Sequence, residues 1–249
     1  VIDGVTPTIT GVASSTANGT YGIGDLINLT VAFTEIVDVD TTSGTPTLQL
    51  DTGNSDRYAT YTSGSGSNTL SFQYTVQDGD SSTDLDQLSS TALALNGGSI
   101  TDAAGNPAIL SLAEPGETGS LGAHADLVID GVAPTISVTI ADGGDGHLNA
   151  TEDSSLTISG STSGVEDEQT VGIVISDGTN TLNTSATVNG NNYSVSDLDL
   201  STLDDGLLSI TADVSDLAGN SAAQASTSIH KDTAAPTLAG VDSSSTNGL

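Results

Sequence analysis

Short runs in which apolar and polar residues alternate recur along the whole chain. Segments 27–33 and 70–76 have an apolar residue at every second position, and segments 136–140, 171–175 and 208–214 follow the same pattern. A period of two places the apolar side chains on one face of a β-strand. Clusters of Gly, Asn, Asp and Ser separate these runs, and no stretch has a convincing helical period. The pattern therefore predicts an all-β chain of short, half-buried strands.

One segment is repeated and divides the chain into domains. Residues 1–9 return nearly unchanged at 128–136 and in a looser form at 230–238, each copy with an Asp four residues before a Pro-Thr step. Copies this far apart indicate whole domains in tandem rather than the short units of a solenoid. The residues after the third copy resemble those after the first. We therefore predict a linker from a preceding domain at 1–8, a type A domain at 9–133, a type B domain at 134–236 and the start of a further type A-like domain at 237–249.

Domains of this size made of short strands are typical of antiparallel β-sandwiches of immunoglobulin type. We expect them to follow one another as an extended rod, and we expect the chain to be an excerpt from a longer array. No signal peptide is visible at its first residues. No apolar run approaches the roughly 20 residues that a membrane-spanning helix needs, so we expect no membrane insertion.

The composition excludes several classes of function. The chain has 32 Asp and Glu against 2 Lys and Arg, a formal net charge of −30, and no Cys. Nucleic acid is excluded as a partner because a duplex binder needs a basic surface. The lack of Cys excludes disulfides, thiol enzymes and Cys-based metal sites. An enzyme is not expected, since only His124, His147 and His230 are available as imidazole bases and no Gly-x-Ser-x-Gly elbow occurs.

Five acids continue the apolar face of a predicted strand at the point where that strand ends: Glu35, Asp78, Asp142, Asp177 and Asp216. A carboxylate on the core side is costly unless it is paired or ligated. Arg57 and Lys231 cannot neutralise so many acids, whereas Ca²⁺ binds six to eight oxygen ligands of this kind. The alternative is that Asp simply begins a turn. That alternative stays open for any single position and weakens when five strands share the pattern.

Two further patterns offer oxygen ligands. The motif Asp-x-Ala-Gly-Asn occurs near the end of each domain, from Asp102 to Asn106 and from Asp216 to Asn220. It fits either a partial calcium loop or a hairpin turn with a residue at positive φ. Segment 142–153 has the length of an EF-hand loop but has Gly at its third and fifth positions, which excludes that motif. It remains a Gly-rich loop where five oxygen-bearing residues could gather: Asp130, Asp142, Asp145, Asn149 and Glu152.

These motifs, in this order and on this acidic background, resemble a known family. Four features carry the resemblance. They are the repeated linkers with Asp3, Asp130 and Asp232, the Asp-x-Ala-Gly-Asn turns, segment 21–25 with the strand to Glu35, and segment 145–152. The chain is similar to the tandem bacterial Ig-like extender domains of giant calcium-dependent surface adhesins, the RTX and Bap-like proteins. The resemblance implies an extracellular rod on the bacterial surface, secreted by a type I system, with Ca²⁺ at the domain junctions. It implies ligand roles for the linker aspartates with Asp145, Asn149 and Glu152 in the second domain, and for Asp25, Glu35, Asp102 and Asn106 in the first.

The function that we predict is structural. Calcium would stiffen a spacer that projects binding domains for cell adhesion or biofilm formation, with the neighbouring Ig-like domains of the same chain as partners. One alternative is self-assembly with other copies of the chain into an extracellular filament or surface layer. Another is a carbohydrate or cell-surface binding module, with Tyr58 and Tyr61 as the candidate aromatic residues. These two tyrosines also suit packing across a strand pair.

Overall fold

The computed structural model describes residues 3–240, and among them it contains β-strands but no helix, so no helix that could cross a membrane is found there. The described residues form two compact units. The first contains residues 3–135, Gly164–Glu166 and Ser215–Ala222; the second contains Ile136–Ser163, Asp167–Val214 and residues 223–240. Residues 1–2 of the predicted first linker and 241–249 of the predicted further domain lie outside the described residues.

The strands of the first unit form two sheets. A seven-stranded sheet has the order β1-β3-β6-β5-β4-β8, with β9 paired to β3, and a three-stranded sheet has the order β2-β10-β7. All pairs are antiparallel except β2 with β10. The strands are β1 Ile9–Ser14, β2 Gly19–Tyr21, β3 Leu26–Asp40, β4 Thr47–Leu50, β5 Arg57–Ser63, β6 Ser67–Thr75, β7 Ser81–Ser82, β8 Leu93–Ala94, β9 Ser99–Thr101 and β10 Leu127–Asp130.

The core of the first unit lies on the face that the alternating pattern predicted. Ile27, Leu29 and Val31 of β3 are fully buried, and Leu29 pairs with the buried Phe72 of β6. Burying each such side chain contributes roughly 1.5–3 kcal/mol. The rings of Tyr61 and Phe72 pack edge-on with their centroids 5.8 Å apart, so Tyr61 packs across a strand pair.

A buried carboxylate interrupts this core. Asp80 is 1% exposed and accepts hydrogen bonds from Arg57 Nε at 2.6 Å, the Tyr74 hydroxyl at 2.6 Å and the Gln77 amide at 2.9 Å. Its carbonyl oxygen accepts the amide of Gly131 in the second linker copy. Burial, together with the Asp80 carboxylate, raises the pKa of Tyr74 above its usual range, which keeps this phenol a donor. Asp80 therefore joins the core to the linker.

The second unit also contains two sheets. One has the order β11-β14-β12 with β17 paired to β14, and the other has the order β13-β19-β18-β15-β16. Its parallel pair, β13 with β19, corresponds to β2 with β10 in the first unit. The strands are β11 Thr135–Ile136, β12 Thr139–Ala141, β13 His147–Leu148, β14 Leu156–Ser163, β15 Thr170–Ser176, β16 Thr181–Thr187, β17 Asn192–Leu198, β18 Gly206–Asp213 and β19 Ala225–Lys231. Short antiparallel strands on two sheets confirm the predicted all-β sandwich class for both units.

A lysine is buried at the end of β19. Lys231 is 2% exposed, and its Nζ donates to the carbonyl oxygens of Leu200 and Leu203, both at 2.8 Å. The carboxylate of Asp153, itself 8% exposed, lies 3.3 Å from the same nitrogen. The ammonium group thus connects β19 to two loops of the second unit.

Candidate metal centre

Three carboxylates meet at the end of the first unit where its linker enters. Glu35 lies on β3, and Asp102 follows β9, which pairs with β3 through Asp38 and Thr101. Asp3 lies on the linker. One carboxylate oxygen from each of Asp3, Glu35 and Asp102 lies within 4.8 Å of the others, and among the described residues this is the one such group of three or more potential ligands. Oxygens of one calcium shell, each 2.3–2.6 Å from the ion, are about this far apart.

Asp102 is held in place by its own turn. Its Oδ1 accepts the amides of Ala104 and Asn106, and its Oδ2 accepts the side-chain amide of Asn106 at 2.6 Å. Burial raises the pKa of the Asp102 carboxyl, but these hydrogen bonds and one from Gly105 outweigh burial, so the pKa lies below its ordinary value. Gly105 has φ +88°, which only glycine adopts easily. The turn therefore presents a fixed, ionised carboxylate.

Glu35 is the member of the group whose carboxylate is least favourably placed. It is half-buried, and its Oε1 is a buried oxygen with no hydrogen-bond partner among the described residues. Burial, and then the negative charges of Asp3 and Asp102, raise the pKa of this carboxyl. A buried oxygen without a partner is rare in a folded protein and costs free energy. Because the other two members are acids, a cation is the group that fits this position.

The linker aspartates share a local role. Oδ1 of Asp3 accepts the amide of Val5 at 3.1 Å, Oδ1 of Asp130 that of Val132 at 3.2 Å, and Oδ1 of Asp232 that of Ala234 at 3.1 Å. Each is an Asx turn, which explains why Asp recurs in every linker copy. Only Asp3 also belongs to a group of three carboxylates within the described part of the chain.

The asparagine of each Asp-x-Ala-Gly-Asn turn holds a linker. Nδ2 of Asn106 donates to the carbonyl oxygens of Asp3 at 3.4 Å and Val5 at 3.3 Å. Nδ2 of Asn220 donates to the carbonyl oxygen of Asp130 at 2.8 Å and to Oδ2 of Asp216 at 2.9 Å. The buried Asp216 accepts the Asn220 amide as Asp102 accepts that of Asn106. The motif is therefore a turn that fixes the linker backbone, and its 102–106 copy also supplies a carboxylate to the group.

Segment 142–153 uses its acids in local turns. Asp142 accepts the amides of Gly144 and Gly146, and Asp145 accepts that of His147. Asn149 and Glu152 form a reciprocal capping box, in which each side chain accepts the other's amide. Within this segment the structure shows no group of three carboxylates close enough to share an ion.

Three other predicted ligands lie at turns. Asp25 is exposed and accepts the Gly22 amide. Asp177 accepts the amides of Thr179, Asn180 and Asp204, and these bonds, first that from Asn180 and then that from Asp204, hold the pKa of its carboxyl far below its usual range. The predicted core-side orientation of Asp78 is wrong because β6 ends at Thr75 and the chain turns at Gly79, so Asp78 is exposed. Asp80 occupies the buried position instead.

No family model and no curated protein matches the chain. Solved structures do match. A tetra-tandem repeat from the extending region of a large adhesion protein is 19% identical with a TM-score of 0.39, over 91% of this chain and 50% of that one. A structure of a 1.5-MDa bacterial ice-binding adhesin is 18% identical with a TM-score of 0.42, over 91% and 64%. A bacterial Ig-like domain of the M. primoryensis ice-binding adhesin is 26% identical with a TM-score of 0.29, over 40% and 96%.

These neighbours are tandem repeats and Ig-like domains of large adhesins. They are the kind of domain that the sequence resembles. The chain spans less than two thirds of the first two structures.

Proposed function

We propose that the chain is a spacer segment of a surface adhesin, extracellular on a bacterial cell, and that Asp3, Glu35 and Asp102 bind Ca²⁺ to hold the first linker. The observation that carries the proposal is the buried, unpartnered oxygen of Glu35 within 4.8 Å of carboxylate oxygens of two other acids. The domain architecture supports the spacer role, because both described units are sandwiches and linker copies adjoin them. In such a spacer the neighbouring Ig-like domains of the same chain are the partners.

The residues present fit the ion. Three carboxylates give the hard, anionic oxygens that Ca²⁺ prefers. Burial, and after it the repulsion from Asp3 and Asp102, raises the pKa of Glu35, and a bound ion would offset both by favouring the ionised carboxylate. Asp102 is already oriented by its turn, so ordering costs fall mainly on Asp3, the exposed member. Binding would therefore add charge attraction at Asp3 to the hydrogen bonds that already hold the linker, which are those of Asn106 and Ile109 and those between Thr8 and Thr34.

Calcium is expected to slow hydrogen exchange of the linker amides of residues 4, 5, 6 and 8, since Pro7 has no amide hydrogen. The ion would fix Asp3 against β3 and the 102–106 turn, and amides in a fixed segment open less often. Hydrogen exchange with mass spectrometry, in calcium and in chelator, measures this on the whole chain. Glu35→Gln keeps the shape of the side chain but removes its charge, and should abolish the calcium effect.

Glu117→Gln is the matched control, because Glu117 is exposed and lies outside the carboxylate group. It should retain the full calcium effect. Equal exchange of the amides of residues 4, 5, 6 and 8 in calcium and in chelator would contradict the stiffening role.

A carbohydrate-binding role is the second candidate, and it has one specific observation. Tyr58 is 54% exposed on β5, and it lines a shallow groove with Gln49 of β4 and Asn96. An exposed ring beside amide groups suits a sugar face. Tyr58→Ala would then abolish retention on immobilised glycans, and this readout is independent of calcium exchange at the linker.

A further inference from the structure

The 216–220 turn contacts the loop that follows β2 within the first unit. Oδ1 of Asn220 accepts the amide of Ile23 at 2.7 Å while its Nδ2 holds the Asp130 carbonyl oxygen. Asn220 is 4% exposed, so this contact is closed to water. One asparagine thus binds two backbone segments, the linker through its NH₂ group and the loop through its oxygen.

The fit of this loop depends on glycine. A Cβ at Gly22 would lie 2.5 Å from the carbonyl oxygen of Ala218 and 2.8 Å from Oδ1 of Asn220. Real Cβ atoms do not approach backbone this closely, so any side chain there would push the turn away. The loop and the turn are therefore complementary in shape as well as in hydrogen bonding.

The 102–106 turn makes only half of the equivalent contact. It has the same motif and the same internal hydrogen bonds, and Asn106 Nδ2 holds the first linker. Within residues 3–240, however, no N–H group donates to Asn106 Oδ1. Ile109, whose amide donates to Pro7 of the linker, is 53% exposed, and Ile36, next to Glu35, is 58% exposed. Two apolar side chains of this unit are thus exposed to solvent, and Asn106 Oδ1 has no donor among the described residues.

We propose that the 102–106 turn binds the loop after the first parallel strand of another module of the first-unit type. Asn106 Oδ1 accepts the amide at the position of Ile23, and the residue at the position of Gly22 packs against the carbonyl of Ala104. The inference deepens the proposed spacer function and rests on it, because it names the surface by which one module joins the next.

The register identifies which module can bind. Tyr21 pairs with Ile129 in the first unit, and Leu148 pairs with Lys231 in the second. The residue after Tyr21 is Gly22, whereas the residue after Leu148 is Asn149. A side chain at that position excludes the second-unit loop from this contact. The occupant is therefore a module with glycine there.

A chain with an added first module tests this. A copy of residues 1–130 is placed before Gly4, so that its Asp130 replaces Asp3 in the nearly identical linker. The added copy carries Thr20→Ser, at an exposed position, so that its 20–25 peptide is distinguished by mass in hydrogen exchange. We expect the Ile23 amide of the added copy to exchange about tenfold or more slowly than in an otherwise identical chain with Asn106→Ala. Gly22→Ala in the added copy should have the same effect as Asn106→Ala.

The native contact provides the reference, since Asn220→Ala should release the Ile23 amide of the unmodified chain. Asn68→Ala, at an exposed position of β6, is the control that should change nothing. Fast exchange of the added loop, or slow exchange that persists in Asn106→Ala, would overturn the proposal. Exchange measured in chelator separates this contact from the calcium site, because the hydrogen bond needs no ion.

Discussion

Replacing Lys231 by Met is expected to lower the free energy of unfolding of the second unit by about 3–5 kcal/mol. The substitution keeps the length of the apolar stem but removes the ammonium group. Asp153 would then be a buried charge without a partner, and the carbonyl oxygens of Leu200 and Leu203 would lose their donor. A buried charge left alone is among the few single changes with an effect of this size.

Hydrogen exchange of β15 and β18 amides, measured in chelator, reports the stability of this unit without a contribution from calcium. Adding Asp153→Asn to Lys231→Met should recover part of the loss, because it removes the uncompensated charge. If the free energy of unfolding of the second unit is the same in Lys231→Met and in the parent, the ammonium group does not stabilise this unit.

Replacing Asp80 by Ala should destabilise the first unit by about 2–4 kcal/mol. The Tyr74 hydroxyl and the Gln77 amide would lose their acceptor inside the core, and Arg57 would lose its carboxylate. Arg57 remains partly exposed, so water limits its share of the loss. Exchange of the β6 amides measures the effect.

Asp78→Ala is the matched control, two residues away and exposed. Its effect should stay within about 0.5 kcal/mol. Comparable losses in Asp78→Ala and Asp80→Ala would show that the turn as a whole, and not the buried carboxylate, stabilises this part of the first unit.

Alternation alone predicted β15 and β18, and it predicted β3 and β6 together with their inward sides, whereas the predicted run 136–140 is divided between β11 and β12. It placed Glu35 correctly because β3 stays extended from Leu26 to Asp40, although its pairing with β6 shifts register between Ala32 and Val37. It misplaced Asp78 because a turn, once begun, ends the period-two relation, and nothing in the alternation indicates at which residue the turn begins. The buried Asp80 was therefore missed.

The two cations were also missed as structural elements. The sequence shows them as too few to neutralise the acids, which is correct for the net charge. Their positions, Arg57 beside Asp80 and Lys231 beside Asp153, depend on loops that are distant in sequence. An acidic residue on the same strand would have indicated an ion pair from the sequence, but β5 and β19 contain none.

The candidate site was partly predictable. The repeated linker and the repeated Asp-x-Ala-Gly-Asn motif indicated Asp3 and Asp102, and the strand pattern indicated Glu35. Short-range turn chemistry accounts for most of the other predicted ligands, since Asp and Asn accept amides a few residues ahead. Only the three-dimensional positions of the oxygens distinguish an acid in a local turn from one that could bind an ion. The contacts of Asn106 and Asn220 with the linkers also became clear only from these positions.

Calorimetric titration of the whole chain with calcium tests the central claim most directly. The account predicts a binding event that weakens about tenfold or more in Glu35→Gln and is unchanged in Glu117→Gln, because affinity depends on the number of charged oxygens around the ion. Calcium binding of equal strength in the parent and in Glu35→Gln would contradict it, as would the absence of any binding to the parent.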